Sequence, residues 1–425
     1  MKRRHLLAGA VVGGAGLLWG WRASNGGDRG GNHSASFQAL SAALDRAGLA
    51  RPTLVIDKQK LLANADVLKQ HLAGKYHYRV VAKSLPSLPL LQAVMTRTHT
   101  RRLMVFHQPF LNLIARELPD TELLLGKPMP VAAAARFYEH HRNPEFDARE
   151  QLQWLVDSGA RLQQYAELAR QRGELMQINL ELDVGLHRGG FSENDAVIAA
   201  LALIEREPGL QFSGFMGYDP HVAKTPGLLG GPDKAFAAVQ QRYQEFVDVA
   251  EKHLGRSLSG ATLNAAGSPT YQRYDGQQVA TELAAGSALV KPTDFDLDSL
   301  ADHQPAAFIA TPVLKSLPVA QVPGIEKLAR LQSWFNPNTR QAFFIYGGYW
   351  KALPESPPGL STHALYGRST NQEMLNGSAS ITLQPDDWVF LRPTQSEHVF
   401  LQFGDIAVYE GGDIVDSWPV FTQGA

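Results

Sequence analysis

Arg79-Val80-Val81-Ala82-Lys83-Ser84-Leu85-Pro86 is a short apolar run that ends on a lysine and is closed by a proline. The run predicts a buried strand, with the amine of Lys83 at its mouth. Burial disfavours the charged form of a lysine. A partly desolvated amine is a nucleophile toward carbonyls and can hold an aldehyde cofactor as a Schiff base. A lysine that snorkels from a strand end into water is the plainer account of this one residue. The organisation around it decides between the two.

Outward from that run, short apolar segments alternate with helix-like ones. Strands are predicted over residues 78–83, 103–107, 122–127, 153–157, 177–183, 212–218, 260–265 and 279–284. Helical periodicity fills 88–96, 109–117, 130–141, 160–172, 193–207 and 233–253. Apolar runs bounded by helices are the pattern of parallel strands buried on both faces. Eight such units predict an α/β fold, a (β/α)8 TIM barrel. An open doubly wound sheet is the competing architecture, and the Gly-rich dinucleotide loop that usually follows its first strand is missing here. From about Asp294 proline becomes frequent and short alternating runs appear at 307–313, 341–346, 378–383, 388–391, 398–403 and 406–409. These predict a second, mostly antiparallel C-terminal β-domain. The domains are therefore drawn at 37–293 for the barrel and 294–425 for the β-domain, with the strand-like segment 53–56 free to pair with the latter.

Composition is that of an ordinary globular chain, 425 residues with 44% hydrophobic and 19% charged. A net charge of -1 gives no electrostatic case for nucleic acid or an anionic surface. There is no cysteine, which excludes disulfides and thiolate metal sites. The first 36 residues read as an export signal and spacer. Met1-Lys2-Arg3-Arg4 is basic, an apolar Gly- and Ala-rich stretch runs to about Trp21, and a Gly-rich polar segment follows from Ser24 to Ser36. The adjacent arginines predict the twin-arginine route and a periplasmic protein. An uncleaved leader anchored in the inner membrane is the alternative. The stretch is shorter than the roughly 20 apolar residues that a spanning helix needs, so no stable membrane span is expected after processing.

In a barrel of this kind the chemistry sits at the C-terminal ends of the strands. Here those ends carry Lys83, His107, Lys127 and Asp157, then Asp183-Val184-Gly185-Leu186-His187-Arg188, Tyr218-Asp219-Pro220-His221, and Gly267-Ser268-Pro269-Thr270. Each polar residue alone could be a cap or a solvated loop tip. Loops after the seventh and eighth strands of such barrels often hold phosphate, which makes Gly267, Ser268 and Thr270 a phosphate-site candidate.

Taken together, "RPTLVID" (51–57), "VVAKS" (80–84), "ELDVGLHRGGF" (181–191), "GFMGYDPHVA" (214–223), Gly267–Thr270 and 282–286 resemble the alanine-racemase-type, fold type III pyridoxal-phosphate enzymes. The closer likeness is to the branch of D-threonine aldolase and D-serine dehydratase. The resemblance implies pyridoxal 5'-phosphate held by Lys83, with Arg188 and Tyr218 at the cofactor ring. It places the phosphate on Gly267, Ser268 and Thr270, and His221 in the pocket wall. It also implies a homodimer acting on a small amino acid. That branch carries a metal pair in a Pro-x-His-x-Cys pattern of its C-terminal domain. Here Gln395 takes the histidine position and Glu397 the cysteine position. Glutamine is a poor zinc ligand, so no zinc site is expected, while an oxygen-rich site at Glu397 for a harder divalent metal stays open. The expected function is a lyase acting on D-β-hydroxy amino acids, by aldol cleavage or dehydration. A metal-independent amino-acid racemase, with His363, Tyr346, Tyr349 or Tyr366 as second acid/base, is the alternative. A non-catalytic binder of pyridoxal phosphate is a third reading.

Overall fold

The computed structural model describes residues 27–319, 336–363 and 366–422. The predicted leader, Met1 to Trp21, lies outside them. Two compact units account for the chain. One comprises Met1–Asp57, Ala307–Gln395 and Phe403–Ser417; the other comprises Lys58–Ala306, Ser396–Gln402 and Trp418–Ala425. Among the described residues no helix is long and apolar enough to cross a membrane.

Strand β1 (Thr53–Asp57) belongs to the first unit, where it pairs antiparallel with β10 (Ala307–Leu317) and parallel with β16 (Ile406–Glu410). The sheet continues through β11 (Gln341–Tyr346), β12 (Ala352–Ser356), β13 (Ser361–Thr362), β14 (Gln372–Gly377), β15 (Trp388–Pro393) and β17 (Asp413–Trp418). The helix Ala35–Arg46 buries Leu40 and Leu44 against Val55, Ala310, Trp388 and Phe390. Residues 27–34, expected to be a free spacer, are tied to this unit instead. Arg29 N–H donates to Asn338 Oδ1 at 2.8 Å, and the His33 ring bonds Ser356 Oγ at 2.8 Å.

The second unit is a closed parallel barrel of eight strands: β2 (His77–Val81), β3 (Arg102–Val105), β4 (Glu122–Leu125), β5 (Leu152–Val156), β6 (Met176–Leu182), β7 (Leu210–Gly217), β8 (Thr262–Ala265) and β9 (Glu282–Ala285). Strand β9 closes on β2 in the register His77↔Glu282 to Val80↔Ala285. The sequence explains the alternation. Leu103, Val105, Leu123, Leu125, Leu155 and Ile178 are buried, as strands covered on both faces require. The intervening helices turn apolar stripes inward, as with Phe110, Leu111, Ile114 and Ala115 of Gln108–Glu117. Helix Gly159–Arg172 stops where Gly173 adopts φ 66°, a left-handed C-terminal cap.

Inside the barrel, near the strand starts, lies a closed ionic network. Arg79 and Glu282 are fully buried and paired, with Arg79 Nη2 donating to Glu282 Oε2 at 2.9 Å. Arg79 Nη1 also donates to the carbonyls of Leu103 and Glu122. Arg102 and Asn264 donate to the same Glu282 carboxylate. Burial alone would raise the Glu282 pKa, but Arg79, Arg102 and Asn264 hold it below the usual carboxylate range.

Two expected strands are turns. Residues 378–383 follow β14 as a turn in which Ser378 Oγ accepts the Ser380 N–H and Ser378 O the Ile381 N–H; a serine bonding its own backbone neighbours competes with the ladder. Within 398–403, His398–Gln402 is a short 3-10 helix, anchored where Ser396 O accepts the Phe400 N–H.

Candidate active site

The expected first strand stops at Val81, and Ala82–Ser84 forms one 3-10 turn that carries Lys83. That turn needs a glycine opposite it. A Cβ built on Gly286, just after β9, would lie 2.8 Å from Val81 O and 2.9 Å from Ser84 Cβ. A chain of hydroxyls reinforces the join: Ser84 Oγ lies 3.1 Å from Ser287 Oγ, and Ser287 Oγ lies 3.4 Å from Ser396 Oγ. Lys83 Nζ sits 4.6 Å from the centroid of the Phe106 ring and 2.6 Å from Glu397 Oε1.

Around this amine opens a cavity of about 340 Å³, within the size range of small-molecule sites. It is lined from successive strand ends by Lys83, Phe106, Lys127, Asp157, Glu181 and Arg188, then by Tyr218, Gly267, Ser268 and Glu397. The Arg188 guanidinium lies over the Tyr218 ring, 5.1 Å from its centroid. Burial pushes the Tyr218 phenol up to about 12, with Arg188 opposing and Asp219 and Glu397 adding to the rise. Tyr218 therefore remains a neutral hydroxyl at physiological pH. Burial likewise raises Glu181, against the pull of Arg188 and with Asp157 and Asp183 adding to the effect.

The loop after β8 has the form of a cradle. A Cβ on Gly267 would fall 2.6 Å from Tyr218 Cε2, so only glycine lets the loop approach the ring so closely. The preceding Ala266 lines the cavity with φ 64°, a conformation L-residues adopt at a cost. Ser268 Oγ accepts the N–H groups of Gly286 and Ala288, at 3.2 and 3.0 Å, which locks the ends of β8 and β9 together. Its own hydroxyl proton is the capacity left over.

Other expected site residues take different places. Thr270 is fully buried and is not among the cavity-lining residues. Its hydroxyl accepts the Gly267 N–H and donates to Asp219 Oδ1 at 2.6 Å. Thr270 thus braces the cradle from behind, because Asp219, which also accepts from Tyr274 at 2.8 Å, captures it. His221 does not line the cavity either. Its Nε2 would lie 3.2 Å from a Cβ on Gly185, its Nδ1 has no hydrogen-bond partner among the described residues, and burial, then His187, lowers its pKa. His363 belongs to the β unit, where it is buried and its Nδ1 accepts the Tyr366 N–H. Tyr346, Tyr349 and Tyr366 of the same unit are exposed, and the Tyr349 ring faces the Arg368 guanidinium at 5.2 Å.

Phe106 and Glu181 escaped the sequence reading. Glu181 had a usable signal: Asn179, Glu181 and Asp183 are polar at every second position of an otherwise apolar strand, the period that points side chains to one face.

A closed parallel barrel of eight strands together with a separate, mostly antiparallel sheet is the alanine-racemase-like architecture. The profile of the alanine racemase N-terminal domain family matches residues 56–294, and the chain belongs to that family. A search by sequence against curated proteins gave no match. Among solved structures the chain is similar to D-threonine aldolase from Filomicrobium marinum, at 16% identity and a TM-score of 0.68, covering 87% of this chain and 94% of that one. It is similar to D-threo-3-hydroxyaspartate dehydratase from Delftia sp. HT23, at 16% identity and 0.67, covering 88% and 98%. It is also similar to alanine racemase from Bacillus anthracis, at 14% identity and 0.65, covering 87% and 98%.

The family's cofactor is pyridoxal phosphate, and the residues fit it. Lys83 supplies the amine, Arg188 and Tyr218 flank the cavity, and the close-packed glycines at 267 and 286 clear the cradle. The stretch that matches the branch's metal motif carries other side chains, Gln395 and Glu397. Among the described residues no three His, Asp or Glu side chains gather as a ligand set. Gln395 Oε1 accepts from Lys351 Nζ, and Glu397 is engaged by Lys83.

Proposed function

We propose that this protein is a pyridoxal-phosphate-dependent lyase of D-β-hydroxy amino acids, cleaving or dehydrating them at Lys83. The observation that carries the proposal is the placement of Lys83 Nζ in a cavity whose walls are Phe106, Arg188, Tyr218 and the Gly267–Ser268 cradle. When bound, the cofactor supplies an electron sink for a bond broken at the substrate α-carbon. Lys83 Nζ gives or takes the proton at that carbon, as a general acid or base. Arg188 and neutral Tyr218 fix the ring side of the cavity, and Ser268 offers its hydroxyl proton to the phosphate. The likeness to an aldolase and a dehydratase of D-amino acids supports this branch. Incubating the purified protein with D-threonine, D-serine and D-alanine, and assaying aldehyde, keto acid and enantiomer ratio, tests it. Racemised D-alanine with no aldehyde or keto acid would replace the lyase by a racemase. That second reading is favoured by the Gln395 and Glu397 pair, which stands where the branch has metal ligands.

The proposal includes a homodimer and export by the twin-arginine route. Sedimentation velocity tests the first. Cell fractionation of the intact gene product against Arg3→Lys, Arg4→Lys tests the second, and cytoplasmic retention of both would remove it.

A further inference from the structure

Three carboxylates line the cavity: Asp157, Glu181 and Glu397. They are not equivalent. Glu181 answers electrostatically to Arg188, Asp157 and Asp183, on the arginine side. Glu397 alone among them touches the amine, with Oε1 2.6 Å from Lys83 Nζ. The pair is 36% and 45% exposed, and ion pairs that open to water contribute only about 0–1 kcal/mol. Stability does not explain why it is built, yet built it is. Glu397 follows Ser396, which is fully buried and tied through Ser287 to Ser84 beside Lys83. On its other side Val399 and Phe400 are buried and the Phe400 N–H is held by Ser396 O.

Resting on the lyase reading, we infer that Glu397 is a catalytic base that takes the β-hydroxyl proton of the substrate, so that the reaction is aldol cleavage. As the Cα–Cβ bond breaks, its electron pair remains at Cα. The β-oxygen becomes the carbonyl oxygen of the departing aldehyde, and its proton passes to the Glu397 carboxylate. Lys83 Nζ delivers a proton to Cα, which leaves as glycine. Glu397 then returns its proton to Lys83 across their contact. Glu397 Oε1, 2.6 Å from Lys83 Nζ, is placed to take a proton from the β-oxygen and hand it to the amine, whereas dehydration would need a proton donated to that oxygen. The substrate class that follows is D-amino acids with a free β-hydroxyl, D-threonine among them.

The test uses the full chain with its cofactor, as wild type, Glu397→Gln and Glu397→Asp. Visible absorbance of bound pyridoxal phosphate and thermal melting report loading and folding independently of turnover. Glu397→Gln is expected to load the cofactor normally and to lower kcat for aldehyde release from D-threonine by about 100-fold or more. Exchange of the Cα proton of D-alanine in D2O, which needs Lys83 but involves no β-hydroxyl, should stay within about threefold of wild type. Glu397→Asp should recover part of the aldehyde release. Equal loss of both reactions would make Glu397 a positioning residue for Lys83 and overturn the inference, as would no loss of either. Aldehyde release that a chelator abolishes, with a metal ion bound by wild type and missing from Glu397→Gln, would overturn it in favour of a ligand role. Wild type that binds cofactor and exchanges D-alanine but releases no aldehyde from D-threonine would overturn it alone. Wild type that binds no cofactor would bring down the lyase reading itself.

Discussion

The two ends of the barrel treat charge in opposite ways. Near the strand starts, Arg79, Arg102, Glu282 and Asn264 form a set in which each group has a partner and the central pair is sealed from water. At the mouth, Lys83, Lys127, Arg188, Asp157, Glu181 and Glu397 line a cavity. There Lys83 and Glu397 pair with each other while 36% and 45% exposed. Buried His107 Nδ1 and His221 Nδ1 have no partner among the described residues. Charges whose demands are met internally hold a structure together. Charges arranged around empty space are kept for something that arrives.

That contrast can be broken from either end. Lys83→Ala should abolish the visible absorbance of bound pyridoxal phosphate and cut turnover by about 10³-fold or more, while urea unfolding shows stability within about 1 kcal/mol of wild type. A large loss of stability would mean the mouth is structural too. At the other end, Arg79→Met leaves the Glu282 carboxylate buried without its main partner. It should cost about 3–5 kcal/mol in urea unfolding, and turnover of whatever protein remains folded should be near wild type. Unchanged stability would show that the sealed pair contributes nothing.

A smaller effect is expected at the joint between β9 and the Lys83 turn. The Cβ of Gly286→Ala collides with backbone at Val81 O. Overpacking of this kind costs about 1–3 kcal/mol, and the displaced amine should weaken cofactor affinity by roughly tenfold, read by absorbance titration. Normal affinity would mean the turn yields without moving Lys83.

The smallest effect concerns Asp219 behind the cradle. Burial raises its carboxyl to about 6, against the Thr270 and Tyr274 hydrogen bonds that lower it. The folded state thus binds this proton more tightly than the unfolded state. The stabilisation is complete below the ordinary carboxyl value of 3.8 and is lost as pH rises through about 6. Wild type should therefore gain thermal stability relative to Asp219→Asn as pH falls from about 7 to about 5. The opposite trend would show that Asp219 stays ionised behind the loop.

Much of this was legible in the residues, and the gaps have physical causes. The barrel could be read because Val80, Leu103, Leu123 and Leu155 belong to short apolar runs spaced by helical stripes, a pattern that local composition carries unaided. Lys83 could be read because a lysine ending such a run is expensive to leave unused. The 3-10 turn that carries it could not, since that turn exists through Gly286, far away in sequence. The role of Thr270 was hidden for the same reason: its hydroxyl is claimed by Asp219 from another strand end. In the β unit, β12 went unseen because Pro354 and Glu355 spoil its alternation, which a strand bonded along one side to β15 tolerates. The 3-10 helix at His398–Gln402 read as a strand because Val399, Phe400 and Phe403 are buried in either conformation.

Ser396–Gln402 belongs to the barrel unit although every barrel strand has ended by Ala285. The ribosome therefore finishes all eight strands more than a hundred residues before it makes the glutamate that meets the lysine. A fragment released at Ala306 would own a complete cylinder with half of its lysine–glutamate pair. Whoever shortens or permutes this gene must count that late segment as part of the early domain.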